Sequence, residues 1–107
     1  MFEKDKFLVE LNFGSFTYSG RATAHARQRM VERYVEEMVV VGNVIALGEE
    51  RMNELQETQE EAIIVDEERD LAIVIGFKGH VIHIITVLDD MNIWNNRGTR
   101  MIRLKDM

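Results

Sequence analysis

Histidine and arginine recur at four-residue intervals in His25, Arg29 and Arg33. On a helix turning about 100° per residue, all three share one edge, beside an apolar stripe of Ala22, Ala26, Met30 and Tyr34. The planar arginine fork suits a phosphodiester, and histidine titrates near neutral pH. Such an edge holds what metal-independent RNA cleavage requires: an acid or base, and cations for the developing charge. Arg97 and Arg100, in a basic C-terminal run, are candidate phosphate contacts on the same physical grounds. The plainer account is a solvated edge whose arginines pack their stems and hydrate their heads.

Other chemistries find less support. His80 and His83 are three apart on a strand-like run, so their side chains point to opposite faces and cannot share a metal ion. The chain has no cysteine, which removes thiolate metal sites, disulfides and cysteine nucleophiles. No Gly-x-Ser-x-Gly, Walker or Gly-x-Gly-x-x-Gly motif is present. No metal and no cofactor is therefore expected.

The formal net charge of −6 is unevenly placed. Residues 49–70 hold ten acids against Arg51 and Arg69, a local charge of −8, which leaves +2 for the remainder. This run lacks the EF-hand spacing and its turn glycine. It reads either as a solvated face or as a protein-binding one, with Glu57, Glu60 and Glu61 as the candidate partner contacts. Overall acidity argues against sequence-independent DNA binding, whose affinity comes from cations on phosphate.

At 107 residues with 46% hydrophobic side chains, the chain fits one domain, residues 1–107, with a core of its own. Its longest apolar runs, residues 71–77 and 81–88, are too short to span a bilayer. No leader-like N-terminus is readable, so a cytoplasmic protein is expected.

The periodicities predict an α+β fold. Residues 7–13 alternate as a strand, and Phe16, Thr17 and Tyr18 could continue it. A helix is expected over about 22–34, with Ser19, Gly20 and Thr23 as its start signals. A second follows from about 35 or 36 to 47, stopped by Gly48. Residues 49–60 bury little beyond Met52 and Leu55 and are expected as a loop or a marginal solvated helix. Residues 62–65, 71–77, 81–88 and 99–104 then read as strands, with Lys78-Gly79 a tight turn. The expected architecture is an N-terminal strand, two short helices, and an antiparallel β-meander of about four strands packed on those helices. The near-continuous apolarity of the central strands implies that both sheet faces are covered, a homodimer partner being one candidate cover.

The run Tyr18 to Arg33, with "TAHARQRMVER" at its heart, resembles the start of small RelE-like and BrnT-like proteins. In particular it is similar to a family of unknown function that opens with His-Ala-x-x-Arg-Met-x-x-Arg. His83-Ile84-Ile85-Thr86-Val87 resembles the later "Val-x-Thr-Val" strand of that group. The resemblance spans roughly residues 16–88. It implies the barnase, colicin and RelE type of fold, many of whose members cut RNA without metal, with His25, Arg29 and Arg33 as the site. Three departures stand against that activity: the acidic charge, the acidic insertion, and Tyr34 where glycine is usual. They favour a binding or regulatory derivative, of phage or mobile-element origin, that uses its acidic face on a basic protein surface. Metal-independent endoribonuclease is the alternative, with RNA as the partner.

Overall fold

The N-terminal apolar alternation folds back on itself as a hairpin. In the computed structural model, which describes residues 5–13, 16–88 and 100–106, β1 (Lys6–Phe13) pairs antiparallel with β2 (Phe16–Ala22). Leu11 and Tyr18 are cross-strand partners, and both are buried. A bulge between Phe7 and Val9 shifts the register near the start of β1.

Helix α1 (Ala24–Glu32) begins where the sequence signals it. Thr23 is the N-cap, and its Oγ1 accepts from Ala26 N at 3.0 Å. The same hydroxyl donates to the Ile85 carbonyl at 3.1 Å, which ties the helix start to a distant strand. Ala26 and Met30 are the buried positions of α1. At its far end Val35 N donates to Met30 O at 2.8 Å and Tyr34 N to Val31 O at 3.3 Å, a cap of the Schellman kind. That cap holds Tyr34 at φ 55°, in the left-handed region where glycine is the favoured residue, with its ring almost wholly in solvent. Tyr34→Gly is therefore expected to raise stability by about 1 kcal/mol, read as a higher urea midpoint at unchanged slope.

Helix α2 (Glu37–Ile45) ends before Gly48, whose φ of 81° breaks the helical path as expected. The chain does not leave the helical layer there. It re-enters helix as α3 (Gly48–Thr58), so of the two expected alternatives, loop or marginal solvated helix, the helix is the one that forms. The two apolar side chains of this segment, Met52 and Leu55, lie three apart and are both fully buried. Their shared face anchors an otherwise charged helix.

Three strands follow: β3 (Ala62–Asp66), β4 (Leu71–Lys78) and β5 (Val81–Leu88). A last strand, β6 (Arg100–Arg103), leads into a short 3-10 turn. The sheet has six strands in the order β1-β2-β5-β4-β3-β6. Only β3, β4 and β5 form the expected antiparallel meander. β2 joins β5 in parallel, and β6 joins β3 in parallel. The expected plan of one strand, two helices and a four-strand antiparallel meander is thus corrected to a mixed six-stranded sheet with three helices between its hairpin and β3. The cause is the apolarity of the central strands: β3 is buried along its whole length and needs a neighbour on each side.

All three helices contribute to one core against one face of this sheet. Ala26, Met30, Val40, Val44, Met52 and Leu55 meet Tyr18, Ile64, Ile73, Ile75, Ile82 and Ile84 there. On the opposite face Ile63, Val65 and Ala72 form a smaller buried cluster, flanked by the half-buried Val74, Leu88 and Met101. The β5 register skips Ile85 opposite the step from Val74 to Ile75.

Candidate functional site

The cationic edge of α1 forms, and its arginines lean on one carboxylate. Arg29 Nη1 donates to Glu32 Oε1 at 3.0 Å, and Arg33 Nη1 stands 3.9 Å from the same oxygen. Gln28 donates to the other Glu32 oxygen at 3.0 Å. His25 is exposed in the first turn. Arg100 is not brought to this edge. It lies on β6 and bonds Glu54 of α3. β6 stands three strand positions from β5, on which α1 packs, or about 14 Å at ordinary strand spacing. Arg97 lies outside the described residues.

A different constellation assembles on the sheet face away from the helices. His83 Nδ1 is 2.9 Å from Asp5 Oδ2. Arg21 Nη2 donates to the Asp5 carbonyl at 3.0 Å. Register explains the meeting: Phe7 pairs with Arg21, Arg21 with His83, and His83 with Gly76, so the four form one row across four strands. Glu61 continues the row, since a Cβ built on Gly76 would lie 3.6 Å from Glu61 Cγ. The tighter neighbour of such a Cβ is Ile85 Cδ1 at 3.1 Å, so glycine at position 76 makes room for the Ile85 side chain. The Asp5 contact fixes the orientation of the His83 ring through Nδ1. The arrangement offers a carboxylate-oriented histidine, a guanidinium beside it, and a second carboxylate two strands away.

Sequence reading placed His83 as a strand residue and missed this row. The signal was the parallel pairing of β2 with β5, which joins positions 62 residues apart, as in the Thr23 to Ile85 bond. His80 goes elsewhere: its ring stacks on Phe16 at 5.6 Å and 14°, and lies 5.1 Å from Tyr18. Among the described residues no group of three His, Cys, Asp or Glu side chains is placed to hold a metal ion.

The acidic candidates are solvent-exposed and belong to different elements. Glu57 is in the last turn of α3, Glu60 follows that helix, and Glu61 turns toward Gly76. Glu49 and Glu57 both act on Tyr18. Burial of its phenol, reinforced by these two charges, raises its pKa above the ordinary 10.0. Tyr18 keeps its proton and donates to Asn53 Oδ1 of α3 at 2.5 Å.

Cations elsewhere are largely committed within the chain. Lys6 pairs with Glu37 at 2.7 Å and Arg69 with Asp66 at 3.0 Å. Arg103 and Lys105 converge on Glu67 at 3.2 and 3.0 Å. Among the described residues, Glu49, Glu50, Glu57, Glu60 and Glu61 form no ion pair.

Compared with protein-family models, curated proteins and solved structures, the chain matches none.

Proposed function

We propose that this chain is a small cytoplasmic binding or regulatory protein on a RelE-like scaffold, of phage or mobile-element origin, which engages a basic protein partner through its glutamates. One observation carries the reading: internal ion pairs, those of Arg29 and Arg33 with Glu32 included, occupy most of the described cations, while five exposed glutamates on α3 and the segment after it have none. A local negative field of that kind steers a cationic partner and sets its association rate.

The test is a charge reversal. Glu57→Lys, Glu60→Lys and Glu61→Lys together add six units and bring the formal net charge from −6 to zero. Association with a partner captured from the native host is expected to slow about tenfold at low salt, with the difference shrinking as ionic strength rises. An unchanged rate at low salt removes the basis of this reading.

A second reading, metal-independent cleavage of RNA, is favoured by one specific feature, the Asp5–His83 bond beside Arg21. His83 would exchange the proton, and Arg21 would meet the phosphate. His25, Arg29 and Arg33 are the rival set for the same chemistry. Incubation with RNA in chelator separates them. A fall of about 100-fold on His83→Ala, the scale of general acid–base catalysis, is the outcome expected for the sheet-face site. The same fall on His25→Ala instead assigns the chemistry to α1, and no cleavage by the unaltered chain ends this reading.

A further inference from the structure

Helix α2 is apolar on more than its buried side. Glu37 is its one charged residue, and Asn43, its other polar side chain, is buried. Val40 and Val44 face the core, while Met38 is 80% exposed and Ile45 is 48% exposed. A helix that is apolar all round is ordinarily enclosed. This one is enclosed on one side only.

The apolar surface extends toward α1. Val31 and Tyr34, at the corner that leads into α2, are 77% and 94% exposed. Four of the six exposed large hydrophobic residues among those described therefore fall within residues 31–45. Tyr34 holds its ring in solvent on a left-handed backbone, and strain of that kind concentrates at functional surfaces.

Beside Met38 and Ile45 runs a groove of about 370 Å³, walled by Leu8 of β1 and by Val41 and Gly42. Its one charged wall residue, Glu37, is neutralised by Lys6 at 2.7 Å. Glycine weakens a helix interior. A Cβ on Gly42 would meet nothing within 4 Å, so the packing of a single chain does not call for glycine there. Its absence of a side chain leaves α2 open to close approach by another backbone.

We propose that this face binds a second copy of the chain, with the two α2 helices crossing about a two-fold axis and Met38 of each copy lying in the groove of the other. Three observations name that occupant. The face carries both a projecting apolar side chain and a groove to take one, and an interface between identical copies needs both on one surface. The groove has no unpaired charge, so it holds nothing for a basic partner and lets two chains of net charge −6 meet without like charges opposed. Covering Val31, Tyr34, Met38 and Ile45 together with the groove walls removes on the order of 600 Å² per copy, against roughly 600–1,000 Å² per partner in interfaces of standard size. Glu57, Glu60 and Glu61 do not line the groove, so the inference stands apart from the acidic-face reading.

The test is sedimentation equilibrium of the full chain over a range of concentrations and at two ionic strengths. The mass is expected to rise from one chain to two and to stop there, with a dissociation constant on the order of micromolar. Added salt should tighten the dimer, because it screens the repulsion between two acidic copies, whereas it weakens a contact between glutamates and a basic partner. Met38→Glu should raise the dissociation constant at least about tenfold, since it sets a charge in the apolar groove. Phe16→Glu adds the same charge at an exposed aromatic of β2 and should leave it within about twofold. Tyr34→Gly, stabilising in the dilute single chain, should weaken the dimer severalfold. A single-chain mass at every concentration, a mass growing beyond two chains, or a dimer weakened by salt would overturn the proposal. So would Met38→Glu or Tyr34→Gly associating like the unaltered chain, or Phe16→Glu disrupting as strongly as Met38→Glu. The triple lysine variant at 57, 60 and 61 should dimerise at least as well as the unaltered chain. If it does so while losing its basic partner, the acidic-face reading and this one stand separately, and a failure of either leaves the other in place.

Discussion

Truncating Tyr18 to alanine is expected to cost about 3–5 kcal/mol, the range for removing a large buried aromatic side chain. The ring is fully buried and meets Phe13 edge-on at 6.0 Å and Phe77 edge-on at 6.2 Å. Its hydroxyl reaches α3 through Asn53. The substitution therefore opens a cavity in the core and cuts the link from the hairpin to the third helix. Tyr18→Phe isolates the second effect. It keeps the ring but leaves Asn53 without its donor, at an expected cost of about 1–2 kcal/mol. Urea unfolding at neutral pH measures both, as a lower midpoint with little change of slope.

The same residue sets a pH dependence. Its folded pKa is raised, chiefly by burial and then by Glu49 and Glu57. The unfolded chain therefore releases the phenolic proton first as pH climbs past the ordinary 10.0. The unfolded state binds fewer protons in that window, so stability is complete below it and falls as pH rises through it. Tyr18→Phe should flatten this alkaline loss. A wild-type profile no steeper than the variant's would refute the assignment.

The second large effect separates the two sheet faces. Ile73→Ala is expected to cost about 2–5 kcal/mol, because the side chain is fully buried under the helices. Val74, the next residue, points to the other face and is only half-buried beside Leu88 and Met101. Val74→Ala should cost about 1 kcal/mol. Comparable losses at the two positions would mean that the opposite face is packed as tightly as the helical one.

What the sequence revealed of this fold follows the range of the interactions involved. Thr23 as a cap, the helix after it, Gly48 as a break and the apolar runs of β3, β4 and β5 rest on neighbours within a few positions, and all appear where expected. Helix α3 was underestimated because Met52 and Leu55 are few, although their three-residue spacing aims both into the core. The parallel pairings of β2 with β5 and β3 with β6 left no local trace, since alternation looks alike in parallel and antiparallel strands. The row of Arg21, His83 and Asp5 depends wholly on one of those pairings. Periodicity did align His25, Arg29 and Arg33, but it could not show that Glu32 sits among their side chains. Nor could it show that Arg100 is committed to Glu54.

The pairing of β2 with β5 also dictates an order of events during synthesis. A ribosome releases the hairpin and all three helices before it releases Val81–Leu88. Until then the outer edge of β2 has no strand to bond, and Tyr18 and Ala22 lack the strand beside them. Contacts so distant along the chain also slow folding, because the loop must close before any bond compensates. The nascent chain therefore carries an open, apolar-sided strand edge until β5 emerges, and this interval is where a chaperone or an early-bound partner would act on it.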